Sequence, residues 1–124
     1  MRVVAIVQAR MGSTRLPGKV LADLGGRTVL DHVLGRLARC RGLDEIVVAT
    51  TDQGEDDPLA AAAAAGATVV RGSAHDVLAR YLVAARVSRA DAIVRVTADC
   101  PVIDPIVIDA VIAALVARHG AAQR

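Results

Sequence analysis

The sequence contains no phenylalanine and no tryptophan, and Tyr81 is its one tyrosine. Single-stranded nucleic acid is held largely by bases stacked on aromatic rings, so that mode of binding is not expected. Lysine is almost missing too: Lys19 is the single lysine among 15 basic residues. The arginines are scattered and the net charge is only +2, so the chain lacks the dense basic face of a nucleic-acid binder. Cysteine occurs only as Cys40 and Cys100, too far apart for a C-x-x-C ligand pair. Two lone cysteines suit a reducing, cytoplasmic compartment. No signal-peptide cleavage pattern follows Val3–Val7, because that apolar run leads directly to Arg10. The longest apolar stretch, Val102 to Ala117, is broken by Asp104, Pro105 and Asp109 and is too interrupted to span a bilayer. Neither a nucleic acid nor a membrane is therefore expected as a partner.

What is present is short and apolar. A chain of 124 residues, 54% of them hydrophobic, makes one domain, residues 1–124, with enough length for a real core. Short β-branched runs at Val3–Val7, Ile46–Ala49, Thr68–Val70 and Ile93–Val96 alternate with helical patterns, which predicts an α/β fold with a parallel sheet. The runs are continuously apolar, as strands covered on both faces require. Thr28 is the expected cap of the first helix, with Asp31 at the capping-box position. Pro58 opens the second helix and Gly66 closes it. The third helix is expected to begin at Ser73, with Asp76 as its capping-box acid and an Asp76–Arg80 ion pair one turn on. Asp104 is the expected cap of the fourth, before Pro105. A Rossmann-like strand order of 3-2-1-4 sets the first and fourth strands side by side, with the ligand site at their carboxyl ends.

That edge collects the chemistry. The first strand runs into Ala9-Arg10-Met11-Gly12-Ser13-Thr14-Arg15-Leu16-Pro17-Gly18-Lys19. Arg10, Arg15 and Lys19 supply positive charge, Ser13 and Thr14 supply hydroxyls, and Gly12 lets backbone N–H groups approach a ligand, which is what a nucleoside triphosphate needs. The loop is not a Walker A motif, since five residues separate Gly12 from Gly18 and Val20 follows Lys19. The dinucleotide G-x-G-x-x-G pattern is absent. Asp99 follows the fourth strand; it is either a Mg²⁺ ligand, which would need few partners from the protein, or a turn-former before Pro101. Thr50, Thr51 and Asp52 end the second strand at the same edge, and Arg71 ends the third; each is either a substrate contact or ordinary turn chemistry. His32, His75 and His119 form no Ser-His-Asp arrangement.

Residues Gln8 to Lys19 resemble the signature loop of the CMP-Kdo synthetase and acylneuraminate cytidylyltransferase superfamily. Val47-Val48-Ala49-Thr50-Thr51, Arg71-Gly72-Ser73 with Asp76-Val77-Leu78 and Arg80-Tyr81, and Thr97-Ala98-Asp99-Cys100-Pro101 are similar to the branch named after spore coat polysaccharide biosynthesis protein F. The resemblance runs in order along essentially the whole chain. It implies a GT-A-type nucleotidyltransferase fold, a three-layer sandwich with a mostly parallel sheet. It also implies an activity: a sugar acid is activated with CTP, giving a CMP-sugar and pyrophosphate, for surface polysaccharide biosynthesis. Under the resemblance Arg10, Ser13, Arg15 and Lys19 would grip the triphosphate, and Ala9, Met11, Gly12 and Thr50 would lie by the nucleotide. Asp99 would ligate Mg²⁺, with Arg10 and Lys19 sharing the catalytic work, and Arg71 would face nucleotide or sugar.

Members of that superfamily are usually much longer. Their later half carries sugar contacts, a dimerisation element and a further metal-binding carboxylate. This chain is expected to be either a fragment or a reduced natural form. Two other readings stay open: the same chemistry with another nucleoside triphosphate, and a non-catalytic nucleotide-binding or assembly module. Self-association as a homodimer is open as well, since so apolar a chain without its usual second half would expose core surface.

Overall fold

The apolar runs become the strands of one parallel sheet. The computed structural model describes residues 1–12, 18–98 and 104–122, and the backbone alone for 119–122. The chain runs β1 (Val3–Gln8), β2 (Asp23–Leu24), β3 (Arg27–Thr28), α1 (Val29–Leu37), β4 (Glu45–Thr51), α2 (Asp57–Ala63), β5 (Thr68–Gly72), α3 (Val77–Ser88), β6 (Ala92–Thr97) and α4 (Pro105–Ala122). The main sheet has the order β5-β4-β1-β6. With the small hairpin β2–β3 set aside, that is the 3-2-1-4 order expected from the sequence. All three pairings are parallel, with Val7 opposite Val48 and Val96, and Val48 opposite Val69.

Strand alternation divides the core into two layers. Ala5, Val7, Val48 and Val96 face one way, against Leu30, Val33, Leu34 and Leu37 of α1, Leu59 and Ala63 of α2 and Ile108 of α4. Val4, Ile6, Val47, Ala49 and Val70 face the other way, against Tyr81 and Ala84 of α3. Each fully buried Val, Leu or Ile side chain contributes roughly 1.5–3 kcal/mol relative to exposure. The result is the expected helix–sheet–helix sandwich. Among the described residues α3 is the one helix on the second face; Ile93 on β6 is 38% exposed, and Leu78, Leu82 and Val87 of α3 face solvent.

The local signals worked where they were purely local. Thr28 Oγ1 accepts the Asp31 N–H at 3.0 Å and Asp31 answers at the Thr28 N–H, a complete capping box. Pro58 sits in the first turn of α2. Asp104 accepts the Ile106 N–H at 2.9 Å at the start of α4. One start differs. Helix α3 begins at Val77, capped by Asp76, whose carboxylate takes the Ala79 N–H at 2.9 Å. Ser73 instead closes the preceding turn, its hydroxyl accepting from His75 and Asp76. His75 therefore lies ahead of the helix and not in its first turn.

The β2–β3 hairpin was not foreseen. Its strands are two residues each, too short for any alternation to register. Its signal was Gly25-Gly26, both at positive φ (69° and 90°), as a tight two-residue hairpin turn requires.

Helix α4 docks through Asp109, whose carboxylate accepts the N–H groups of Gly42 at 2.9 Å and Arg41 at 3.0 Å. Those two bonds, Gly42 first, hold its carboxyl below the usual aspartate range against an opposing effect of burial, and the Arg41 charge adds a lesser push downward. A lowered folded-state pKa stabilises the fold above the ordinary carboxylate range, and that contribution is lost as pH falls through the folded value. Thermal midpoints of wild type and Asp109→Asn are therefore expected to differ at neutral pH, with wild type higher, and to converge in strong acid. A gap that persists in acid would deny the carboxylate this role. Cys40 lies in the same seam, and burial, then the Asp109 charge, pushes its thiol pKa up.

Candidate active site

Because every pairing in the main sheet is parallel, all carboxyl ends meet at one rim. Beyond the strands, the Ala9 N–H bonds the Ala49 carbonyl at 3.1 Å and the Ala98 N–H bonds the Gln8 carbonyl at 3.0 Å. The loops leaving β1 and β6 thus start side by side. Helices α1 and α2 cover one face and α3 the other, so the order reverses at this pair of strands, the position where open α/β sheets bind ligands. Ser13, Arg15 and Asp99 lie outside the described residues, as do Thr14, Cys100 and Pro101.

The neck of the first loop is described, and it is closed. The Gly18 N–H donates to the Met11 carbonyl at 2.8 Å. Gly18 then takes φ 76°, a conformation that favours glycine, and turns the chain into the one-turn helix Lys19–Leu21. Val20 anchors that turn in the core. Arg10 and Lys19 therefore flank the two ends of a loop whose base is tied by a hydrogen bond. Arg10 is exposed and its Nη2 donates to the Gly12 carbonyl at 3.3 Å. A Cβ on Gly12 would stand 3.0 Å from Glu55 Oε1 and 3.3 Å from Arg10 Nη2. Both atoms are the ends of flexible side chains, so a larger residue here would push Glu55 and Arg10 aside by a few tenths of an ångström.

Asp56 is the residue that the sequence reading missed. It is 1% exposed, and its carboxylate accepts the Met11 N–H at 2.7 Å and the Thr51 hydroxyl. A single buried side chain thereby joins the end of β4 to the neck of the cationic loop. In sequence Asp56 stands two residues before Pro58, the ordinary place for a helix-start acid. The available signal was the doubled acid Asp56-Asp57, since one carboxylate suffices at a helix start. Asp57 faces outward and pairs with Arg71 Nη1 at 2.7 Å.

Arg71, expected to touch nucleotide or sugar, has all three guanidinium nitrogens engaged within the protein. Besides Asp57, Nε donates to the Thr51 carbonyl and Nη2 to the Gln53 carbonyl, both at 2.8 Å. It clamps the segment that carries Asp56. Ala9 and Thr50 are buried at the rim, and the Thr50 hydroxyl has no hydrogen-bond partner among the described residues. Arg80 does not pair with Asp76: it is 1% exposed and its Nη1 donates to the Ser73 carbonyl at 2.7 Å. Among the described residues, no three His, Cys, Asp or Glu side chains converge as a metal site, and no helix is long and apolar enough to cross a membrane.

Comparison with known proteins agrees with this geometry. Residues 4–121 match the family model described as cytidylyltransferase. Spore coat polysaccharide biosynthesis protein SpsF of Bacillus subtilis is 40% identical over 117 residues, covering 90% of this chain and 49% of that protein. The 3-deoxy-manno-octulosonate cytidylyltransferase of Anaeromyxobacter dehalogenans is 41% identical over 117 residues, covering 91% of this chain and 47% of the relative. Among solved structures, CMP:2-keto-3-deoxy-manno-octonic acid synthetase complexed with CTP superposes with a TM-score of 0.80 at 27% identity, covering 93% of this chain and 47% of that one. The chain thus spans about half the length of the curated relatives it matches.

Proposed function

Since the chain belongs to the cytidylyltransferase family, we propose that it is the nucleotide-binding part of an enzyme that activates a sugar acid with CTP, yielding a CMP-sugar and pyrophosphate for surface polysaccharide synthesis. The observation that carries this reading is the tied loop between Arg10 and Lys19, at the parallel rim where the strand order reverses.

In this mechanism an acceptor hydroxyl attacks the α-phosphate in line. A phosphorus–oxygen bond to the acceptor forms as the bond from the α-phosphorus to the bridging oxygen breaks, the hydroxyl proton passes to solvent, and pyrophosphate leaves with the electron pair. Arg10, Ser13, Arg15 and Lys19 hold the phosphates and offset the charge that develops on the leaving group. Ala9, Met11, Gly12 and Thr50 floor the nucleotide. Asp56 and Arg71 keep the neck of the loop in place. This is catalysis by positioning and electrostatics, with no covalent intermediate.

Mg²⁺ suits the donor set. It takes one or two carboxylates, keeps several waters and shares substrate phosphates, and Asp99 directly follows Ala98, which is bonded to the strand that feeds the loop. Asp99 would hold the ion, which when bound would neutralise phosphate charge.

Calorimetric titration of CTP with and without Mg²⁺ tests the reading. CTP is expected to bind, to bind more tightly with Mg²⁺, and to lose that gain in Asp99→Ala. A thermal-shift panel of the nucleoside triphosphates checks the base: preferential stabilisation by another nucleotide would replace CTP as the substrate. CTP binding without pyrophosphate release for any sugar acid would favour a binding or assembly module. The exposed Leu78, Leu82 and Val87 of α3 favour association of that kind, including a homodimer, and light scattering reads it directly.

A further inference from the structure

Arg80 is charged, buried and mostly unpartnered. It is 1% exposed, and its Nη1 donates to the Ser73 carbonyl at 2.7 Å. Its Nε and Nη2 are buried and have no hydrogen-bond partner among the described residues. A guanidinium stays protonated in proteins, so a full positive charge stands in the interior with no ion-pair partner among the described residues. The nearest acid in sequence, Asp76, is committed to the Ala79 N–H. An uncompensated buried charge destabilises a fold, and replacing it by an apolar group is often neutral or stabilising. A residue that costs stability in this way points to a ligand.

The free atoms define the ligand's chemistry. Nε and Nη2 share one edge of the guanidinium plane, and their parallel N–H groups match the two oxygens of a carboxylate or a phosphoryl group. The side chain is also given room: a Cβ on Gly72 would stand 3.2 Å from Arg80 Cγ. Gly72 is the last residue of β5, pairs with Thr51 in the sheet, and its carbonyl accepts the Asp52 N–H at 2.9 Å. Arg80 thus lies at the rim that carries the candidate active site, but on the α3 face and apart from the β1 loop. Around it Ser73, His75, Asp76 and Val77 are exposed.

We propose that the unpartnered edge of Arg80 is a second anion-recognition element, which takes an oxoanion of the acceptor substrate while the β1 loop takes the triphosphate. The proposal rests on the cytidylyltransferase reading only in making the acceptor the bearer of that oxoanion.

The test uses Arg80→Met, which keeps length without charge, and Arg80→Lys, which keeps charge without the fork. Gluconate serves as the carboxylate probe and inorganic pyrophosphate as the phosphoryl probe, with CTP titrated in parallel. Arg80→Met is expected to melt at or above the wild-type temperature and to bind one of the two probes at least about tenfold more weakly, with CTP affinity unchanged. Loss on gluconate assigns a carboxylate, and loss on pyrophosphate assigns a phosphoryl group. Should Arg80→Met not fold, Arg80→Lys decides: weakened probe binding supports the site, and full retention overturns it. Wild-type protein that binds neither probe, or Arg80→Met that binds both as wild type does, also overturns it. Wild type that fails to bind CTP sinks the nucleotide reading alone.

Discussion

Lys19→Ala is expected to weaken CTP binding at least about tenfold, and to slow pyrophosphate release about a hundredfold, near 3 kcal/mol of transition-state stabilisation, in a form that turns over. The position leaves little slack. Lys19 is the chain's single lysine, and it follows Gly18, whose positive φ and bond to the Met11 carbonyl set where the chain leaves the loop. A compact ammonium there acts as a point charge toward phosphate oxygens. Lys19→Arg keeps the charge but replaces the point with a wider fork, so it should recover binding better than turnover. The measurements are CTP calorimetry for affinity and a coupled pyrophosphate assay for rate. Wild-type affinity in Lys19→Ala would remove Lys19 from the triphosphate site and leave Arg10 as its only described cation.

What the sequence made legible was whatever depends on near neighbours. The β-branched runs became β1, β4, β5 and β6 in the expected order, because a strand buried on both faces has to be apolar throughout. Thr28 and Asp31 capped α1 as read, since both partners sit within one turn. Polar residues whose partners lie far along the chain were not legible. Asp56 turned inward because the Met11 N–H, 45 residues away, came within reach. Arg71 turned to the carbonyls of Thr51 and Gln53, which only the β4–β5 pairing brings close. Arg80 was misread for a related reason: the Asp76 carboxylate that would have paired with it was already capping α3. The candidate site was legible as a place, fixed by strand order and loop composition. The braces that hold it were not, because spacing does not say which way an acid or an arginine points.

Asp56→Ala is expected to lower stability by about 3 kcal/mol, because it strands the Met11 N–H and the Thr51 hydroxyl at once. Urea denaturation should show this as a lower midpoint at an unchanged slope. Asp56→Asn keeps one acceptor oxygen and an amide that can donate to the Thr51 hydroxyl, so its loss should be well under half as large. The second readout is nucleotide affinity. A domain of this size holds about 5–15 kcal/mol of stability, so a variant missing about 3 kcal/mol still populates mainly the folded state. Weaker CTP binding by that folded protein would then report the loop neck, freed from its anchor at Met11, and not global unfolding. Asp56→Ala should bind CTP more weakly than a core variant of equal instability, such as Leu59→Ala, whose side chain is fully buried under α2 and makes no bond to the loop. Equal CTP affinity in the two variants would reduce Asp56 to a brace of the fold with no part in shaping the triphosphate site.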